Sequence, residues 1–465
     1  MKTVLKCVIK TVSPVHIGCD EVYEPTAFSV DERNLELNVF SPFDFLYQLP
    51  ENEVARLTEI CREGSVSSLL KIYKFMRGVK LNGRKVRLCP GFIEHYNQTL
   101  GMAARDERKV SQELNRFAIE RTAFLANDEK PYIPGSSVKG SLRTAYLNFL
   151  VGQRNVPRQS GRDAAKKLER VLLGGKFATD PFRCIKVSDF KPVGKVTTRI
   201  VYAVNEKKDD PGKRARGPYQ ILEIVEPGSL FEGTITVEHP ERGANIKNPI
   251  TRKALFDALR YFYGNEKVRE DRELENIGIK APEIETGNGL YLLRIGRHSG
   301  AESVTIEGHR SIKILGQRQN ASRATTLWLA SDTRKPVEKA GLKPFGWVML
   351  TDNLSILSDD MEKVLRSSET AHKKAQYGRQ MEKICAREIV WDNAYLTWTP
   401  QNQTLTATSA EKATKATVTG KEKVEKMVPE AFYKKLFKKR KSVSAKVTVS
   451  QLGNRYEILK IEDKG

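Results

Sequence analysis

Lys139 and Arg143 stand four residues apart at the start of a predicted helix, in the segment Pro131–Tyr132–Ile133–Pro134–Gly135–Ser136–Ser137–Val138–Lys139–Gly140–Ser141–Leu142–Arg143. Pro134–Gly135 breaks the chain, and Ser136 or Ser137 can cap the free amides of the helix that follows. That helix reads from Val138 to Leu150, with Leu142, Ala145, Tyr146 and Phe149 on one face. Unpaired N–H groups beside two cations suit a phosphate. The order is not that of a phosphate-binding Walker loop, because Lys139 precedes Gly140 and no Ser/Thr occupies the Mg²⁺-ligand place. Taken alone, an ordinary Pro–Gly turn before a core helix explains the segment at least as well.

Two further segments carry polar chemistry at chain breaks. In Ser13–Pro14–Val15–His16–Ile17–Gly18, Pro14 ends a strand ladder and Gly18 lets the backbone turn closely. His16 is then free to hydrogen-bond a phosphate or a ribose, although a lone histidine at a strand end is more often structural. In Leu293–Arg294–Ile295–Gly296–Arg297–His298–Ser299–Gly300, two glycines bracket Arg297, His298 and Ser299. Exposed amides and guanidinium groups in such a loop can wrap a phosphodiester. Each signal is weak by itself.

The charge balance joins them. Lys plus Arg number 79 against 57 Asp plus Glu, a net +22. So large an excess makes a polyanion the leading partner, through release of its counterions. No long basic amphipathic helix recommends acidic lipids, and no apolar run approaches the eighteen or so residues of a membrane span. Lys6 and Lys10 interrupt the N-terminal run, so it is not a signal segment. The six cysteines are scattered, with no CxxC and no histidine at ligand spacing. They read as thiols of a reducing cytosol, and no metal or cofactor is expected.

These segments must be held by more than one core, since 465 residues suggest two or three domains. Strands are expected in Thr3–Val12 and Leu35–Phe40, and helices from Phe43, over Glu51–Arg62 and over Ser65–Met76. Thr197–Val204, Ile221–Val225 and Leu230–Val237 read as strands, the last two joined by a hairpin turn at Glu226–Pro227–Gly228–Ser229. Glu206–Gly217 is too polar to pack, and helices are expected at Arg252–Tyr263 and over Ser358–Ile384. Thr404–Lys426 reads as a linker. Beyond it, Ala445–Val449 and Tyr456–Ile461 are strands of what could be a small oligonucleotide-binding β module. Residues 401–465 hold 15 Lys/Arg against 7 Asp/Glu.

The trio SPVHIG, YIPGSSVKGSLR and LLRIGRHSG, in that order, resembles the RAMP superfamily of CRISPR-associated proteins, and the ILEIVEPGSLFEGTITV stretch fits it as well. Arg297 and His298 fill places where that family favours small residues. The resemblance implies an α+β fold of ferredoxin-like, RNA-recognition-type β-α-β-β-α-β domains, often two per chain. The expected division is 1–180 with a helical insertion at about 45–125, then 181–400, then the basic extension 401–465. His16 and Gly18 would lie near the RNA-facing sheet edge. Gly135, Ser136, Ser137, Lys139, Gly140 and Arg143 would meet the guide backbone, as would Arg294, Gly296, Arg297, His298, Ser299 and Gly300. Such sites read shape and phosphate rather than sequence.

Tyr23–Glu24–Pro25 and the chain length are most similar to the subunit that caps a type III-A filament at the guide's 3′ end. The implied partners are CRISPR RNA and other RAMP subunits, with target RNA and a host trimming nuclease as further candidates. Two enzymatic alternatives stay open. One is a metal-independent endoribonuclease using His16, His298 or Lys139 as acid and base. The other is metal-dependent cleavage at Asp20 or Asp31.

Overall fold

In the computed structural model of the protein, two compact units divide the chain, Met1–Leu365 and Arg366–Gly465. The structure describes residues 2–79, 81, 83–103, 106–159, 161–209, 217–284, 287, 289–314, 316–353, 387–410, 414–439, 441–452 and 455–463. The helix expected over Ser358–Ile384 lies outside them, as does most of the polar Glu206–Gly217 stretch.

Strand Lys2–Thr11 organises the first sheet, and its buried Cys7, Val8 and Ile9 explain why. It sits in the centre of the order Tyr291–Arg294, Trp347–Thr351, Lys2–Thr11, Leu230–Glu238, Ile185–Val187, with Lys191–Val193 also on Leu230–Glu238. Every pairing is antiparallel. Helices Gly135–Gln153 and Arg252–Asn276 bury Val138, Leu142, Ala145, Leu255, Phe256 and Leu259 in one cluster with Ile9, Ile235 and Leu293 of this sheet. In chain order this sheet and its two helices read strand, helix, three strands, helix, two strands.

The second sheet runs Gly18–Val22, Ile119–Thr122, Gln220–Val225, Thr198–Lys207, Arg84–Leu88, Glu36–Val39, Phe28–Asp31, with Thr326–Ser331 also on Thr198–Lys207. Ile119–Thr122 and Arg84–Leu88 pair parallel to their neighbours Gln220–Val225 and Thr198–Lys207. Its core takes Leu70 and Tyr73 from helix Val66–Met76, Phe92 and Tyr96 from Pro90–Leu100, and Val110 from Glu107–Arg116. Helix Pro42–Gln48 starts as expected, with the Ser41 hydroxyl accepting from the Phe43 N–H.

Three expectations need correction. Both sheets draw strands from before and after residue 180, so no boundary there separates them. The stretch 45–125 is not wholly helical, because Arg84–Leu88 and Ile119–Thr122 are strands of the second sheet. Finally, Glu226–Ser229 is not a hairpin: it carries the chain from one sheet to the other. Thr11 holds it there, its hydroxyl donating to Glu226 O at 2.7 Å and accepting from Ser229 N at 2.9 Å.

Helix Arg252–Asn276 continues well past Tyr263, although Glu266, Glu270 and Glu273 are buried. Each carboxylate is paired: Glu266 and Glu273 with Arg269, Glu273 with Lys208 at 3.0 Å, and Glu270 with Arg294. Buried charge is tolerable only with such partners.

The second unit is a closed five-stranded barrel in the order Arg387–Thr399, Thr404–Ser409, Lys415–Thr419, Arg455–Glu462, Val443–Leu452. Lys415–Thr419 and Arg455–Glu462 are parallel, and the helical segment Lys421–Lys438 separates the third strand from the fourth in sequence. Thr404–Ser409 and Lys415–Thr419 are therefore barrel wall, not linker. Leu405, Ala407, Ala416 and Val418 point inward while threonines alternate outward, a small-residue pattern with little apolar mass to betray it.

Candidate nucleic-acid interface

The three sequence segments meet at one place. The Ser141 hydroxyl, one turn into helix Gly135–Gln153, donates to Arg294 O at 2.7 Å. Three residues on, the Arg297 N–H donates to His16 O at 2.8 Å. Gly296 is what permits that approach. Its φ is +79°, and a Cβ there would lie 2.3 Å from His16 O. His298 also holds positive φ, at 63°, with its ring 4.4 Å from Trp328 and 5.4 Å from Phe345. Ser299 closes the turn by donating to Gly296 O at 2.7 Å, and Gly300 has φ +80°.

Two expected contacts are corrected by burial. His16 is fully buried, so its side chain does not face a phosphate or ribose. Its Nδ1 lies 2.7 Å from Glu223 O, which can only accept, so Nδ1 carries the proton and Nε2 the lone pair. Burial holds its pKa below the ordinary histidine value, and the 4.0 Å approach of Nε2 to Glu120 is therefore not an ion pair. Nε2 has no hydrogen-bond partner among the described residues. Arg294 is buried as well, ion-paired to Glu270, donating from Nε to Phe345 O at 3.0 Å and lying over the Trp347 ring. Arg294 positions the loop from beneath through its side chain, His16 through its backbone oxygen.

The helix start also differs from its expected form. Neither Ser136 nor Ser137 caps it; Pro134 is the N-cap residue and makes no side-chain cap. Instead Asp189, from another segment, accepts the Gly135 N–H at 2.8 Å. Gly135 is packed so tightly that a Cβ would lie 2.5 Å from Val187 O. A carboxylate thus already occupies one amide that a phosphate would have used. Arg143 is likewise engaged, with Asp180 at 2.8 Å and Glu169 at 2.7 Å.

The residues left facing outward are fewer. Gly18, Ser136, Gly140 and Arg297 are exposed, and Ser137, Lys139 and Gly300 half-buried. Burial and the nearby Lys186 hold the Lys139 ammonium below its ordinary pKa, the electrostatics of a site short of negative charge. Arg297 pairs with Glu120. Burial, Arg297 and His16 push the His298 pKa down to about 3, so that imidazole is neutral.

The sequence did not point to the second layer. Buried Glu223 accepts from Arg84 Nη1 at 3.1 Å and from Thr122 N at 3.3 Å. Arg121 lies 3.7 Å over the Phe124 ring. Glu223 sits inside an apolar strand run, and that lone carboxylate in ILEIV is the signal that could have found it. No group of three or more metal-ligating side chains is placed to hold an ion, and no helix is long and apolar enough to cross a membrane, among the described residues.

Comparison with known proteins gives a consistent result. Residues 8–296 match the RAMP superfamily. The CRISPR system Cms protein Csm5 of Streptococcus thermophilus is 24% identical over 317 residues, 65% of this chain and 79% of that protein. The protein of the same name from Methanocaldococcus jannaschii is 24% identical over 197 residues, 40% of this chain and 42% of that one. The match thus spans less than half the length of the second relative. Among solved structures, a chain of a type III-A Csm–crRNA–target RNA ternary complex is 19% identical, with TM-score 0.46, covering 75% of this chain and 100% of that one. The crystal structure of T. onnurineus Csm5 is 19% identical, with TM-score 0.44, covering 73% and 99%.

Proposed function

The chain belongs to the RAMP superfamily, and from that premise we propose that it is a guide-RNA-binding subunit of a type III-A interference complex. It caps the filament near the guide's 3′ end, supports guide maturation and assembly in antiviral defence, and works in the cytoplasm. Four strands of the first sheet, Lys2–Thr11, Ile185–Val187, Leu230–Glu238 and Trp347–Thr351, with helices Gly135–Gln153 and Arg252–Asn276, are read as one ferredoxin-like domain, to which Lys191–Val193 and Tyr291–Arg294 are added. CRISPR RNA and neighbouring RAMP subunits are the partners, with target RNA and a trimming nuclease further out.

The observation that carries this reading is the convergence of the three motifs through Ser141–Arg294 and Arg297–His16. Their outward side, with Lys139, Lys186 and Arg297, offers cations and backbone, which suits a strand of any sequence. The endoribonuclease alternative is less well supported. His16 has no access to a 2′-hydroxyl, and the neutral, ring-packed His298 has no acid or base at hydrogen-bond distance among the described residues.

The barrel is read as a second RNA-contacting module. Its closed five-stranded order, with third and fifth strands parallel, is that of oligonucleotide-binding folds. Tyr395 is exposed on its outer wall, between Ser444 and Thr408, with Lys415 next to Thr408.

Purification with the neighbouring operon's products and sequencing of the bound RNA tests the assignment. Repeat–spacer RNA together with other RAMP subunits is the expected result. Heterogeneous RNA without those subunits would overturn it.

A further inference from the structure

Phe177 is 83% exposed, yet it is not on a loose loop. It follows Gly174 and Gly175, both at positive φ, and a Cβ on Gly175 would lie 2.5 Å from Thr179 Oγ1. Thr179 Oγ1 accepts the Lys176 N–H at 3.1 Å and donates to Lys176 O at 3.0 Å. Arg183 Nη1 donates to Ala178 O at 2.7 Å, and its guanidinium lies 5.8 Å from the Phe177 ring centroid. The turn is therefore built to hold an aromatic ring in solvent. Isolated exposed apolar side chains are common and need no explanation. A ring fixed this way at the mouth of a basic cleft is a different matter.

That cleft has a volume of about 540 Å³ and is lined by Arg143, Lys166, Arg170, Lys176, Phe177 and Asp180 among others. Lys166, Arg170 and Lys176 are exposed on its rim. Arg143 is the strut at its base, bonding Glu169 of helix Ala164–Leu173 on one side and Asp180 on the other, with its guanidinium 5.2 Å from the Phe182 ring. One side chain thus belongs both to the guide-binding helix and to the cleft.

We propose that this cleft holds one nucleotide of the single-stranded guide, its base stacked on Phe177 and its phosphate on Lys176, Arg170 or Lys166. An aromatic face with flanking cations is the general means of holding an unpaired nucleotide without reading its identity. The fixed ring lowers the ordering cost of capture. The guide is chosen over the target strand because the cleft continues from Arg143, on the same helix as Lys139. This inference rests on the guide-binding reading above.

The test uses the full chain and a labelled single-stranded oligouridylate, beside an abasic RNA of the same length. Phe177→Ala should weaken binding of the base-bearing RNA on the order of tenfold, with the abasic RNA unaffected and Phe177→Trp near wild type. Unchanged affinity of Phe177→Ala for the base-bearing RNA overturns the pocket, and so does an equal loss on both RNAs. In the assembled complex, 4-thiouridine in the guide should crosslink to the 174–183 turn; crosslinks from the target strand alone overturn the choice of strand. Lys139→Ala with Lys186→Ala is measured in parallel. Loss there with none at Phe177 removes the pocket and leaves guide binding standing, whereas a wild-type chain that binds no RNA removes both.

Discussion

Arg297 donates its backbone N–H to the carbonyl oxygen of His16 at 2.8 Å, across 281 residues of sequence (297 − 16). This bond ties the segment that follows the central strand of the first sheet to the glycine loop. It fixes the loop through backbone atoms, so the two side chains are left to different tasks. His16 packs inward while Arg297 reaches the surface.

Gly296→Ala should break that union. Left-handed backbone costs a non-glycine residue about 1–2 kcal/mol, and the added methyl would also meet His16 O at 2.3 Å. Gly300→Ala is the control: its φ is +80°, but the nearest atom to a Cβ is Glu302 Oε2 at 3.7 Å. Denaturant melts should show Gly296→Ala losing clearly more stability than Gly300→Ala. Equal losses would mean the loop can move off His16.

Removing Lys139 and Lys186 together should weaken RNA binding by a similar factor for every sequence. The slope of log affinity against log salt should fall in size by roughly 1.4, about 0.7 for each single-strand phosphate that no longer has its lysine. Titration at several salt concentrations checks this. An unchanged slope would place the RNA elsewhere.

The pH dependence follows from two histidines whose pKa burial lowers, buried His16 and half-buried His298. Burial lowers the folded pKa of His16, and takes that of His298 to about 3, so the unfolded chain binds more protons between those values and about 6.5. Stability should therefore be full above pH 6.5 and fall as the pH drops below it, by up to about 1.4 kcal/mol per unit for each such histidine. His298→Asn, which tolerates the left-handed backbone, should give a shallower acid slope in urea melts. A slope equal to wild type would show that His298 is not part of the acid response.

The sequence was legible wherever a single local rule governs. Helix Glu51–Arg62 has the bounds its pattern predicts, and the Ser41 and Ser65 caps stand where short polar residues precede helices. The motif trio was legible because its glycines and prolines mark where backbones approach. What failed was non-local. Glu226–Ser229 has hairpin composition, but Thr11 supplies the bonds that send the chain to another sheet. Asp189 rather than Ser136 holds the start of helix Gly135–Gln153, because a carboxylate 54 residues away reaches Gly135 N first. The helix expected over Arg252–Tyr263 runs on to Asn276, and nothing local announces Lys208 and Arg294 as partners for Glu273 and Glu270.

If the barrel contacts RNA on its outer wall, Tyr395→Ala should weaken binding severalfold, with no change in thermal stability. Tyr395 is 53% exposed and contributes little to the core, so a melting shift is not expected. Loss of one stacked base is worth ~1–3 kcal/mol at most. Unchanged RNA affinity would leave this wall without a role in binding.

Arg294 separates contact from positioning. Arg294→Met leaves Glu270 buried with only the Trp347 indole N–H of its two side-chain donors, and losing one partner of a buried pair costs about 3–5 kcal/mol. Arg294→Met with Glu270→Leu removes both charges, so it should recover much of that loss. RNA affinity should follow stability through this cycle, because the guanidinium acts by holding Phe345 O and the loop above it. The salt slope supplies the decisive reading. It should match wild type in the double variant, since every phosphate keeps its cation; a drop of roughly 0.7 would restore Arg294 to the RNA surface.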